Sequence, residues 1–210
     1  MKKSKRARFA AALPWLPAVL SLYYLFRFTP IWRAALLLFS LLIHEGGHFF
    51  AFLFLGADVP RITPVSGGFR FFSRSPLSYR GELFVALAGP VANLVPGILL
   101  LLFGAGDPYA AEAGWISVGT GLSNLIPISD HDGGRVLFCL LASRLDVGRA
   151  GEVASLVSYG SLLLSLSLAF SLLYVSGAGF YFSVFILFSL LSHPLPETTF
   201  FEHSGENGRF

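Results

Sequence analysis

The chain has 210 residues, 54% hydrophobic and 13% charged, with a mean hydropathy of +0.68; that is too apolar for a soluble domain of this size and fits a polytopic membrane protein. The net charge of +3 does not imply nucleic acid, because the basic residues cluster at the ends of apolar runs, where their partner is the membrane surface. A single cysteine, Cys139, excludes an internal disulfide and a cysteine-based zinc cluster, and in its apolar segment reads as a small buried hydrophobe.

One domain is expected: a basic arm over residues 1–8, a membrane core over 9–193 and a mobile polar tail over 194–210. The arm carries Lys2, Lys3, Lys5, Arg6 and Arg8, and an apolar run from Phe9 to Phe26 follows. No small-x-small cleavage site comes after it, so the run is read as a retained first span rather than a signal peptide.

The second span, about Trp32 to Leu55, carries His44-Glu45-Gly46-Gly47-His48 towards its C-terminal end. On a helix, residues four apart are about 6 Å apart in rise and share a face, so His44 and His48 can hold one metal ion. Glu45, next to the first imidazole, has the spacing of a general base that reaches water without ligating the metal. Gly46 and Gly47 each cost the helix roughly 1 kcal/mol relative to alanine, and they clear a strip beside the metal where a substrate backbone could approach. The bland alternative is a pair of helix-face histidines bonded to neighbouring helices.

Ala57 to Arg80 is a polar interlude. Ile62 to Val65 and Phe69 to Phe72 flank Ser66-Gly67-Gly68, which predicts a short membrane-associated β-hairpin between the second and third spans. Its aromatic residues suit the bilayer interface, and backbone of that kind at depth belongs over the active-site side of the bundle; an ordinary interfacial loop is the alternative. Gly67, Gly68 and Phe69 are the residues on which an extended substrate segment could dock by strand addition.

The third span, about Leu83 to Phe103, contains Gly89-Pro90-Val91-Ala92-Asn93, which predicts a break or kink and places an amide in hydrocarbon. Asn93 reads equally as a packing residue or as part of a site. Gly104 to Gly114 reads as a loop. The fourth span, about Trp115 to Ile128, runs into Pro127 and then Asp130-His131-Asp132-Gly133-Gly134. Pro127 should end the helix and the glycines let the chain turn, presenting Asp132 from a non-helical bend. A metal held by two histidines lacks a third protein ligand until a carboxylate such as Asp132 is supplied, with Asp130 and His131 as chemical rivals.

A short helix from Arg135 to Leu145 and a basic connection lead to spans at about Val153 to Val175 and Ala178 to Leu191. The serines of the former suggest close helix packing. The fold class expected is an all-α polytopic membrane protein of about six transmembrane helices. With the N-terminus in the cytoplasm, every Lys and Arg except Arg27 and Arg33 lies on the cytoplasmic side, as the positive-inside rule requires. Both termini are then cytoplasmic, and the HEGGH motif and Asp132 reach one depth, towards the cytoplasmic side.

Three ordered motifs, HEGGH in a membrane span, Gly89-Pro90-x-x-Asn93 in the next, and Asn124-x-x-Pro127 followed by Asp132-Gly133, resemble those of the site-2 protease family of intramembrane zinc metalloproteases. The six-span layout with an N-terminal motif resembles the bacterial branch containing the stage IV sporulation protease, which acts on a precursor sigma factor. The resemblance covers about residues 32 to 149. It implies one zinc ion held by His44, His48 and Asp132, favouring Asp132 over Asp130; Glu45 as catalytic base; and Asn124, with Asn93 a second candidate, as a polar group facing substrate or oxyanion. No PDZ-like insertion and no C-terminal nucleotide-binding module are present between residues 1 and 210.

The expected function is hydrolysis of peptide bonds in or beside the bilayer. The partners are the lipid bilayer of the cell membrane, a membrane-embedded or membrane-associated protein substrate and regulatory membrane proteins, with no nucleic acid. A metal-ion transporter is the alternative from a different class, and would need several sites across the bilayer rather than one depth. A catalytically dead scaffold is disfavoured by the presence of Glu45 and all three candidate ligands.

Overall fold

The computed structural model describes residues 29–56, 61–65, 68–72, 77–104, 106–129 and 131–176, together with Tyr23 and Arg27. The expected first span apart from Tyr23, the expected last span, the arm, the tail, Gly67 and Asp130 lie outside the described residues.

The described chain is mostly helical: α1 (Ile31–Phe54), α2 (Tyr79–Phe103), α3 (Pro108–Asn124), α4 (Asp132–Ala142) and α5 (Val147–Ser176). Between α1 and α2, the segments β1 (Arg61–Val65) and β2 (Gly68–Phe72) pair antiparallel, Arg61 opposite Phe72 and Val65 opposite Gly68.

Helices α1 and α2 and the Val147–Leu168 part of α5 are long and apolar enough to cross a membrane. At 1.5 Å per residue, α1 and α2 each reach about 36 Å, past the roughly 30 Å of hydrocarbon in a bilayer. Apolar side chains such as Leu42, Phe50, Phe54, Val95, Leu102 and Leu164 are exposed on these helices, as expected of surfaces whose solvent is lipid. The chain is a membrane protein.

Several boundaries differ from those expected. Helix α3 starts at Pro108, not at Trp115, because Asp107 caps it by accepting the Tyr109 N–H at 2.9 Å and Pro108 occupies the first turn, where its missing N–H costs nothing. The stretch expected as a loop from Gly104 to Gly114 is therefore largely helix. Even so, α3 reaches only about 25 Å, short of a bilayer's hydrocarbon thickness. Helix α2 runs unbroken through Pro90 and Pro96 instead of breaking; packing on both flanks holds it where propensity alone would not. Helix α1 ends where expected: Gly56 takes φ +66°, the left-handed conformation that stops a helix and that glycine adopts without strain.

Small residues set the packing. The buried face of α2 reads Val85, Ala86, Gly89, Pro90, Asn93 and Gly97, and that of α3 reads Gly114, Ser117 and Gly121. A Cβ on Gly97 would lie 2.9 Å from the Val118 nitrogen and 3.1 Å from the Gly114 carbonyl, so the two backbones cross in contact there. The hydroxyl of Ser117 donates to the Asn93 carbonyl at 2.8 Å across this crossing. Ser40 of α1 bonds Thr120 of α3 at 3.0 Å, closing a three-helix unit around α2. Near the other end of that unit, Arg33 of α1 pairs with Glu112 of α3, and the Trp32 and Tyr109 rings meet edge to face at 5.2 Å.

Helix α5 supports the turn before α4. Ser158 accepts the Ser129 N–H at 2.9 Å and meets its hydroxyl at 3.0 Å, while Ile128 packs against Leu162. Of the α5 serines, Ser155, Ser158 and Ser165 are buried, whereas Ser167 is exposed.

Candidate metal centre

Helix α1 buries Ser40, His44, His48, Ala51 and Phe52, at steps of four, four, three and one, so one stripe faces the bundle and the rest faces outward. His44 and His48 fall on that stripe one turn apart, with rings edge to face and centroids at 4.8 Å. Asp132 arrives from α4. It is the first residue of that helix, after His131 at the N-cap position, whose side chain makes no capping bond, and it does not sit in the non-helical bend expected. The helix N-terminus, with its unpaired N–H groups, favours a carboxylate at this position.

The three side chains converge on one point. His44 Nε2 lies 2.9 Å from Asp132 Oδ2, His48 Nε2 lies 3.1 Å from the same oxygen, and the two Nε2 atoms are 3.2 Å apart. All three residues are buried. Burial works against ionisation of Asp132, yet hydrogen bonds and charge from His44 and His48 hold its carboxyl down to about 2, so it is an anion at neutral pH.

The donor set fits zinc. His48 donates its Nδ1–H to the Val85 carbonyl at 2.8 Å. A carbonyl is acceptor only, so the neutral ring presents a lone pair at Nε2. That lone pair faces an anionic oxygen and a second imidazole nitrogen at about 3 Å, an arrangement that repels itself unless a cation or a proton lies between them. Zinc–nitrogen and zinc–oxygen bonds of about 2.0–2.1 Å in tetrahedral array place ligand atoms about 3.3 Å apart, close to the separations found here.

Glycine makes this approach possible, at positions other than those expected. A Cβ on Gly89 of α2 would collide with His48 Nε2, lie 2.5 Å from His48 Cε1 and lie 3.0 Å from His44 Cε1. The bare backbone of Gly89 is thus one wall of the imidazole pair. Gly47 does not face a substrate strip: its Cβ would lie 2.6 Å from the Ala88 carbonyl, so α2 fills that space. Gly46 lies about 180° round the helix from the ligand face, and a Cβ there would meet nothing within 4 Å. Gly133 likewise serves close packing, since a Cβ there would strike the Leu125 carbonyl.

Glu45 is half-buried, about 80° round α1 from the midline of the two histidines. His131, a rival ligand by chemistry, turns its Nδ1 to the Ser123 carbonyl at 3.0 Å. Asn124 donates its Nδ2 to Thr120 of its own helix at 3.1 Å. Asn93 is fully buried, with its amide 3.5 Å from His44 Nδ1. Gly68 and Phe69 lie in β2.

The sequence reading missed Gly89 and Val85. A glycine followed by Pro90 was visible as a helix irregularity, but which neighbour it admits depends on how α1 and α2 cross. Val85 contributes through a carbonyl that any residue would supply, so no sequence signal marks it.

No family model matches the chain. The zinc metalloprotease MJ0392 of Methanocaldococcus jannaschii is 28% identical over 162 residues, which covers 73% of this chain and 46% of the relative. The chain thus spans about half the length of the curated relative it matches. Among solved structures, the site-2 protease from Methanocaldococcus jannaschii superposes with a TM-score of 0.59 at 23% identity, covering 84% of this chain and 83% of that one. The chain therefore shares the fold of a site-2 protease and is similar in sequence to a zinc metalloprotease.

Proposed function

We propose that the chain is an intramembrane metalloendopeptidase of the site-2 protease type, with one zinc ion held by His44, His48 and Asp132. The observation that carries this is the convergence of two imidazole nitrogens and one carboxylate oxygen within 3.2 Å, buried between helices able to span a bilayer. The similarity to a zinc metalloprotease and the shared fold support it.

Bound zinc supplies Lewis-acid chemistry: it makes water acidic near neutral pH and polarises a peptide carbonyl. The chain's own groups do the rest. Glu45 takes the proton of the attacking water and delivers it to the leaving amine. Val85 holds the His48 ring by its Nδ1–H, and the N-terminus of α4 aims the Asp132 carboxylate. Substrate enters as an extended segment, because a helix shields its own carbonyls, and the paired strands around Gly67, Gly68 and Phe69 are the edge it would join. Asn124 is the side chain we assign to the substrate or oxyanion side.

The remaining features belong to the same proposal: six spans, both termini in the cytoplasm of a cell-membrane protein, and a site open towards the cytoplasmic side. The substrate class is a membrane-embedded or membrane-associated protein. The motif resemblance carries a narrower suggestion, a precursor sigma factor cleaved in sporulation, which the site geometry does not distinguish from other substrates. The transporter alternative gains nothing, since among the described residues one His/Asp group of this kind is found.

The test is Glu45→Gln. It should retain zinc at the wild-type stoichiometry and lose cleavage of a co-expressed single-span substrate; wild-type cleavage by this variant would overturn the mechanism.

A further inference from the structure

Resting on the zinc-site reading, we propose that Asn93 is not a substrate-facing or oxyanion group but the residue that positions His44, by accepting its Nδ1–H. The argument starts from an asymmetry. His48 has a carbonyl acceptor at its Nδ1, 2.8 Å away on Val85. His44 needs the same, because a neutral imidazole that ligates through Nε2 carries its proton on Nδ1, and a buried N–H without an acceptor is destabilising.

The group beside His44 Nδ1 is the Asn93 amide. Its Nδ2 lies 3.5 Å away, while its Oδ1 is buried with no hydrogen-bond partner among the described residues. A half-turn of the amide exchanges the two atoms. The acceptor then meets the one ring nitrogen that needs an acceptor, and the NH2 takes the place where Oδ1 had no partner. One amide atom is unpartnered among the described residues in either orientation, so the proton that zinc ligation requires on His44 Nδ1 decides between them. The opposite assignment, with Nδ2 donating to Nδ1, would move the His44 proton to Nε2 and close that atom to a metal.

The surroundings fit a positioning role and not a substrate role. Asn93 is fully buried. Its backbone carbonyl accepts the Ser117 hydroxyl at 2.8 Å, which ties this turn of α2 to α3. On α2, Val85 and Asn93 stand two turns apart with Gly89 midway, so one helix supplies both imidazole acceptors and the bare backbone between them. Helix α2 thus acts as a template that sets both rings, which gives a polar amide a role at a fully buried position.

The test compares zinc affinity, by chelator competition on purified full-length protein in detergent, for wild type, Asn93→Leu and Asn93→Asp. Asn93→Leu removes the acceptor and should weaken zinc binding about 10- to 100-fold. Asn93→Asp keeps an acceptor without a donor and should bind zinc at least as tightly as wild type. A merely structural or donor role would make both variants fail alike, and an oxyanion role would leave zinc affinity intact in both while lowering turnover; either result overturns the assignment. Should Asn93→Leu not fold, 15N NMR of histidine-labelled, zinc-free wild type at pH 8 decides: the His44 proton is expected on Nδ1, and a proton on Nε2 overturns the inference. A wild type without zinc affinity would refute the metal-site reading itself, whereas a zinc-binding wild type matched by Asn93→Leu would refute only the role given to Asn93.

Discussion

Replacing Gly89 with alanine sets two effects of opposite sign against each other. By helix propensity alone, alanine in place of glycine inside α2 stabilises by up to about 1 kcal/mol. The site argues the reverse. The new Cβ would lie 2.5 Å from His48 Cε1 and 3.0 Å from His44 Cε1, and it would also overlap His48 Nε2. Ordinary carbon–carbon contact is about 3.5–4.0 Å, so relief requires a shift of about 1 Å in the rings or in the helix. Zinc ligands tolerate about 0.2 Å. We therefore expect Gly89→Ala to lose at least about 100-fold in zinc affinity, equivalent to about 2.7 kcal/mol, measured by chelator competition in detergent. Gly46→Ala is the control: with nothing within 4 Å of the added carbon, it should keep wild-type zinc affinity and gain no more than about 1 kcal/mol. A Gly89→Ala protein that binds zinc like wild type and melts higher would refute the claim that α2 forms a wall of the site.

Other perturbations test the frame around the centre. Gly47→Ala places a carbon 2.6 Å from the Ala88 carbonyl, so it should lower both thermal stability and zinc affinity by forcing α1 away from α2. Ser158→Ala strips the Ser129 N–H of its acceptor and should cost about 1–3 kcal/mol in a denaturant titration; no measurable loss would mean the turn before α4 is held by other contacts. Arg135 reaches Glu82 at 2.7 Å, tying α4 to α2, but both side chains are about a third exposed. A double-mutant cycle should return a coupling below about 1 kcal/mol that shrinks with salt. Burial, with Glu82 alongside, pushes the Cys139 thiol up to about 11, so a maleimide at pH 7 should label the folded protein far more slowly than the unfolded chain.

The core of the site was readable because its chemistry is out of place in its surroundings. Two imidazoles and a carboxylate inside an apolar run require a compensating partner, and the four-residue spacing of His44 and His48 puts them on one face whatever the tertiary fold. A carboxylate at the end of an apolar span needs a cation, which made Asp132 a candidate third member beside Asp130 and His131; the family resemblance, not the chemistry, favoured Asp132. What the glycines do was not readable. Gly46 and Gly47 looked like a cleared path for substrate, yet Gly47 is filled by α2 and Gly46 faces away, because side-chain clearance depends on which helix crosses where.

Helix limits slipped for local reasons. The Asp107-Pro108 cap was present in the sequence but overshadowed by the run of glycine and acidic residues around it. The continuity of α2 through two prolines is a tertiary effect, since α1 and α3 hold both sides of a helix that would otherwise be interrupted. Asn93 sits between these cases: its polarity was visible, while its pairing with His44 depends on the register of α2 against α1.

Zinc K-edge X-ray absorption of the purified protein tests the central claim most directly, because it reads the donor atoms themselves. The expected spectrum has two imidazole nitrogens and oxygen donors at about 2.0–2.1 Å, reduced to a disordered site or no zinc in Asp132→Ala. A sulfur shell at about 2.3 Å, or a spectrum unchanged by that substitution, would contradict the account.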